Sequence, residues 1–227
     1  PDIVVPEKVG DKVIYRISLS SSYFSKINSI DISNVSELEF FKLNLFEDSS
    51  CSKLKKLDFS KNKKLRSVIA NRTKALEEIT FSENCKSISL YNTSVKKLDL
   101  KSAKKLKYFN YINGPLDNID LSNNTNLEKV DIENTNVKAL DLKLLKKISY
   151  FEYTSGPLEE IDISNNTELE TVKVFDSNVK VLDVSSNPKL KRIEVDEGTE
   201  IIGETNAEIK YWTKEDIEKL EELRKND

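Results

Sequence analysis

The sequence predicts a repeat solenoid: a right-handed coil, strand-rich with parallel β-sheet, short irregular turns on its convex side and one C-terminal helix. Three observations predict it. The tetrapeptides LDLK, IDLS, LDLK, IDIS and LDVS begin at Leu98, Ile119, Leu140, Ile161 and Leu182, one at every twenty-first position, and a fixed period of this order marks a repeat architecture. Within a period the apolar residues alternate, so Ile119 and Leu121 face one way from one extended segment and Val130 and Ile132 from another. A period this short cannot hold a strand, a helix of several turns and two connections, which leaves most of each coil extended.

The elements follow in chain order. Residues 1–26 stand apart from the repeat and read as an N-terminal cap, since VIYRISL at Val13–Leu19 alternates and can pair with the first rung. Residues 27–197 hold about eight rungs, opening irregularly at Ile30, Leu57 and Ile79, with steps of 27, 22 and 19, before the strict period sets in. Residues 198–227 read as a C-terminal cap with a helix near 213–225. There Thr213 and Asp216 have the spacing of a capping box with Asp in place of Glu, and Ile217, Leu220 and Leu223 make one apolar stripe.

A second period, twice as long, overlies the first: residues 103–144 and 145–186 are identical at 22 of 42 positions. One rung type carries Gly114-Pro115-Leu116 or Gly156-Pro157-Leu158, and the other Asn136-Val137-Lys138 or Asn178-Val179-Lys180. The column Lys55, Glu77, Lys96, Asp117, Lys138, Glu159, Lys180 alternates in sign. On strands about 4.8 Å apart that predicts an ion ladder which penalises slipping by one rung. Asn62, Asn84, Asn124, Asn166 and Asn187 recur where an amide can satisfy a corner, with Ala103 and Leu145 replacing it in two rungs. Asp58, Asp99, Asp120, Asp141, Asp162 and Asp183 form a column read as turn caps rather than as a metal row.

The repeat L-x-x-L-x-L-x-x-N-x-x-L, best seen in LDNIDLSNNTNL at 116–127 and LEEIDISNNTEL at 158–169, resembles the short leucine-rich repeats found in bacterial surface internalins. Some members of that family carry an inward cysteine in each repeat. The matching positions here are Tyr111, Ile132, Tyr153, Val174 and Val195, so the cysteine ladder is missing. The resemblance implies a bacterial cell-surface or secreted protein whose concave sheet binds an extracellular protein or glycan.

Composition bounds the function independently. Leu, Ile, Val and Phe supply 69 of 227 residues, enough for a core without disulfides. Net charge is −3, which removes the bulk electrostatic case for nucleic acid, and no apolar run has the ~18 residues of a membrane span. Pro1 opens no signal-like segment, so a processed or trimmed piece is expected, and a monomer. With no histidine there is neither a Ser-His-Asp triad nor a His-ligated metal. Only Cys51 and Cys85 are left as thiol nucleophiles, and their different rung offsets argue against their pairing. No enzyme, cofactor or metal site is therefore expected.

The second extended half of each rung varies outwardly and carries aromatics, whereas the LDLS half repeats almost unchanged. A surface that discriminates partners needs such variety. The expected ligand patch comprises Tyr108, Asn110, Asp131, Glu133, Tyr150, Glu152, Lys173 and Phe175, centred on its three aromatics. The alternative is a rigid structural spacer presenting another domain.

Overall fold

The computed structural model describes residues 1–20, 26–45 and 53–225. Ten parallel strands form one continuous sheet in chain order: Arg16–Ser20, Phe40–Asn44, Ser67–Asn71, Ser87–Tyr91, Tyr108–Ile112, Lys129–Glu133, Tyr150–Thr154, Thr171–Phe175, Arg192–Asp196 and Glu208–Trp212. The variable second half of each rung builds this sheet. The LDL half, which repeats with little change, gives only short two-stranded ladders, such as Lys56–Asp58 with Glu78–Thr80 and Val181–Asp183 with Glu200–Ile202. The sheet runs past both 27 and 197, the limits drawn on the consensus, because backbone pairing needs an extended segment at the right height and not the LDL letters.

Inward residues of the sheet, such as Phe109, Val130, Ile132 and Phe151, meet Leu116, Leu121, Leu127 and their equivalents in one contiguous core. Each such side chain contributes ~1.5–3 kcal/mol on burial, and every rung repeats the contribution. Cys85 fills a buried position of this core, where Leu65, Leu106 and Leu127 stand in other rungs. Cys51 lies outside the described residues.

The doubled period comes from packing. Tyr111 and Tyr153 are wholly buried, and their hydroxyls donate to the carbonyls of Val95 and Val137 at 2.6 Å. A Cβ on Gly114 or Gly156 would collide with the tyrosine hydroxyl oxygen and sit 2.9 Å from its Cζ. The intervening rungs carry Ile132 with Thr135 and Val174 with Ser177 at the same offsets, where the shorter inward side chain leaves room for a Cβ. Tyrosine and glycine therefore alternate together with the aliphatic and hydroxyl pair.

Corners are closed by side chains. The Asn124 amide donates to the carbonyls of Leu100 and Ala103 in the previous rung, at 3.0 and 2.9 Å, and Asn62, Asn166 and Asn187 do likewise. Asn84 does not belong to this column. Ser82 occupies the buried corner, because this rung lacks the two-residue turn that precedes Asn62, and Asn84 bonds instead to the carbonyl of Lys63 at 2.7 Å. The missing turn accounts for the short step from Ile79 to Leu98. At Ala103 the neighbouring Ser102 hydroxyl supplies the donor, to the carbonyl of Phe81 at 3.0 Å. The aspartates act as turn caps: Asp58, Asp99, Asp120, Asp141, Asp162 and Asp183 each accept the amide two residues on, at 2.9 Å.

A left-handed residue follows the sheet strand in six successive rungs, at Arg72, Asn92, Asn113, Asn134, Ser155 and Asp176, with φ between 48° and 56°. Asn and Asp tolerate this conformation best. In the alternating charge column, Lys55 and Glu77 meet at 3.3 Å, the one pair of that column within salt-bridge distance among the described residues. Closer pairs bridge rungs elsewhere, including Lys107–Glu128 at 2.6 Å and Lys191–Glu170 at 2.7 Å. The helix spans Lys214–Lys225. Its capping box forms: the Asp216 amide donates to Thr213 Oγ1 at 3.2 Å, and Asp216 Oδ2 accepts the Thr213 amide at 3.1 Å. Ile217 and Leu220 are half-buried, whereas Leu223 is exposed.

Candidate functional site

Strand register sorts the outer face of the sheet into rows. The middle row reads Asn110, Asp131, Glu152, Lys173, Glu194, Lys210 from strand to strand. The row on one side reads Tyr108, Lys129, Tyr150, Thr171, Arg192, and that on the other Ile112, Glu133, Thr154, Phe175. All eight expected ligand residues thus fall on four neighbouring strands and on one face of the sheet.

Asp131, Glu133 and Glu152 converge, with one oxygen from each carboxylate lying within 4.8 Å of the others. Lys129 approaches Asp131 Oδ2 at 3.5 Å, and Lys173 approaches Glu152 at 3.5 Å and Glu194 at 3.6 Å. Tyr150 donates its hydroxyl to Glu152, while Lys129 lies 4.3 Å above the Tyr150 ring. Burial foremost, and then the charges of Glu152 and Glu133, push the Asp131 carboxyl up to about 7 against the pull of Lys129. Burial and the bond to Glu152 raise the Tyr150 phenol well above its ordinary range.

Further along the row Glu194 is deeply buried yet well satisfied. Burial opposes its charge, but the Trp212 indole donating at 2.8 Å, Lys173, and Arg192 at 2.7 Å outweigh that and hold it below the usual carboxylate range. Trp212 also stacks on Phe175, with ring centroids 4.3 Å apart and planes inclined by 11°. This corrects one expectation. Phe175 is only 3% exposed, and the aromatic surface at this end belongs to Trp212, on which Lys210 rests 3.3 Å from the ring centroid.

Tyr108 is the most open of the expected anchors at 44%, its hydroxyl donating to Glu128 at 3.1 Å. Tyr150 and Lys173 are half-buried, and Asp131 and Glu152 are buried at the base of the patch. Lys129, Glu194, Arg192 and Trp212 were not among the expected residues. Alternation already put the first two on this face. The place of Trp212 depended on the last strand joining the sheet, for which no repeat consensus gave a sign.

No protein-family model matches the chain, and no curated protein matches it in sequence. Solved structures do. The functional domain of InlJ from Listeria monocytogenes, which includes a cysteine ladder, superposes with a TM-score of 0.64 at 18% identity, over 78% of this chain and 43% of that one. The fold is similar to that of internalin leucine-rich repeats. The internalin InlF of the same species gives 0.53 at 15% identity over 81% and 67%, and a leucine-rich-repeat protein of Leptospira interrogans gives 0.62 at 11% over 86% and 56%. The chain thus spans less than half of the InlJ chain. Tyr111, Ile132, Tyr153, Val174 and Val195, at the positions where the sequence resemblance expects such a ladder, are all buried.

Proposed function

We propose that the chain is a noncatalytic binding module of a bacterial cell-surface or secreted protein, recognising an extracellular protein or glycan on the outer face of its ten-stranded sheet. The observation that carries this reading is the chemistry of that face. Between Tyr108 and Trp212 it presents phenols, an indole, lysines and carboxylates on rigid, adjacent strands, while the LDL half offers the same capped aspartates rung after rung. Fixed strands hold polar and aromatic groups in place at little entropic cost on binding. The internalin-like fold of the solved structures agrees with it. Noncatalytic character is supported by the lack of histidine and by the burial of Cys85, whose thiol is pushed up to about 12 and is thus no nucleophile at neutral pH.

The test is a screen of the purified chain against arrayed extracellular proteins and glycans, alongside the variant Tyr108→Ala/Lys129→Ala/Tyr150→Ala. A control variant changes Lys101 and Lys143 to Ala on exposed turns away from the sheet. A hit lost with the face variant and kept with the control supports recognition on the sheet. A hit kept with the face variant moves the site elsewhere. The uninterrupted register of ten strands favours one other reading, a stiff spacer, which predicts silence across the array.

A further inference from the structure

We propose that Asp131, Glu133 and Glu152 form a binding site for one divalent, oxygen-seeking cation of the calcium class on the outer face of the sheet. The site stands independently of any macromolecular ligand. Two oxygens on one calcium ion, at 2.3–2.6 Å from the metal, lie no more than about 5 Å apart. The three carboxylates already meet that limit, at 4.8 Å or less. Asp131 sits opposite Glu152 on the next strand and two residues before Glu133, so the backbone register itself sets the spacing.

Two buried polar atoms on these strands have no hydrogen-bond partner among the described residues. Asp131 is 6% exposed, and its Oδ1 is closed off from solvent with no hydrogen bond. Thr154, directly across from Glu133, is wholly buried and its hydroxyl oxygen is also unbonded. A carboxylate oxygen buried without a donor is costly, and here two further acids stand beside it. The lysines do not relieve it. Lys129 reaches the other oxygen of Asp131 at 3.5 Å, and Lys173 is shared between Glu152 and Glu194. A cation held among the three carboxylates adds positive charge beside Asp131, whose Oδ1 has no hydrogen-bond partner.

Donor chemistry selects the class. A set made only of oxygens, with no histidine or cysteine, suits calcium, magnesium or manganese over zinc or copper. Three carboxylates whose spacing is set by strand register, with Glu133 the half-exposed one, suit the irregular coordination of calcium better than the strict octahedron of magnesium.

The experiment is calcium titration of the intact chain by calorimetry at pH 7.5, with terbium luminescence excited through Tyr150, whose hydroxyl rests on Glu152. Thermal melts in calcium and in chelator accompany it. One ion per chain is expected, with terbium emission competed away by calcium and a higher Tm in calcium. Asp131→Asn and Glu133→Gln should each weaken uptake at least tenfold and remove the Tm shift, with unchanged far-UV circular dichroism, while Asp117→Asn at an exposed turn leaves both intact. No saturable uptake by the parent chain at millimolar calcium overturns the proposal. So does uptake that both cluster variants leave unchanged, or preference for magnesium over calcium.

Discussion

Room for a single Cβ decides which rungs can hold an inward tyrosine. Beside Gly156 the Tyr153 ring and the Thr135 carbonyl leave no room, the latter 3.0 Å from where a Cβ would stand. Gly156→Ala is therefore expected to cost about 1–3 kcal/mol through overpacking, read as a lower urea midpoint. The double variant Tyr153→Ile/Gly156→Thr, which copies Ile132 and Thr135 from the neighbouring rung, should recover most of that loss. At the corners, Asn166 holds two carbonyls, those of Leu142 and Leu145. Asn166→Leu should cost about 1–3 kcal/mol, because two buried acceptors lose their donor. The asparagine column was legible in the sequence, but its membership was not: Ser82 rather than Asn84 takes the corner, since letters alone do not show which turn has been shortened.

The helix was legible because its signals are local. Thr213 and Asp216 bond to each other across three residues, whatever the rest of the chain does. Thr213→Ala should lower stability by about 0.5–2 kcal/mol through loss of the cap, visible as a reduced helical signal at 222 nm before the sheet melts. The strand before it was harder to read. Glu208–Trp212 has no repeat consensus, yet it pairs in register with Arg192–Asp196 and brings Trp212 over Phe175. Burial of an aromatic residue at a sheet surface was thus decided by an element far downstream in the chain. The ion column fared differently again. Its charges are exposed, Lys55 and Glu77 keeping 70% and 59% of their side-chain surface, and such pairs are worth ~0–1 kcal/mol. Lys138→Glu, in the same column, should shift the melting temperature by no more than about 2 °C.

Across the whole molecule the turn-capping aspartates act together. Hydrogen bonds from Ser60, Ser122, Ser164 and Ser185 hold Asp58, Asp120, Asp162 and Asp183 below the usual carboxylate range. A carboxylate with a depressed folded pKa stabilises above its unfolded value, near 3.9, and loses that contribution as pH falls through the folded value. Stability should therefore drop below about pH 4. Changing these four aspartates to Asn keeps the acceptor and removes the titration, so the fall with acid should be blunted in pH-dependent urea melts. Removing residues 103–144, one full superperiod, should leave a cooperative fold with an m-value lower by roughly a fifth, because the rungs on either side of the cut are equivalent. Periodicity by itself determined the solenoid, its parallel strands, its inward positions and the face that varies, since so short a repeat with alternating apolar residues has few other ways to bury its core. Only the tertiary structure decided that the sheet continues through Arg16–Ser20 and Glu208–Trp212, that Phe175 is covered, and that three acids converge, one of them with a buried, unbonded oxygen. Those outcomes depend on register between strands a full rung apart in sequence, and register is set by the stacked backbone and not by any one rung.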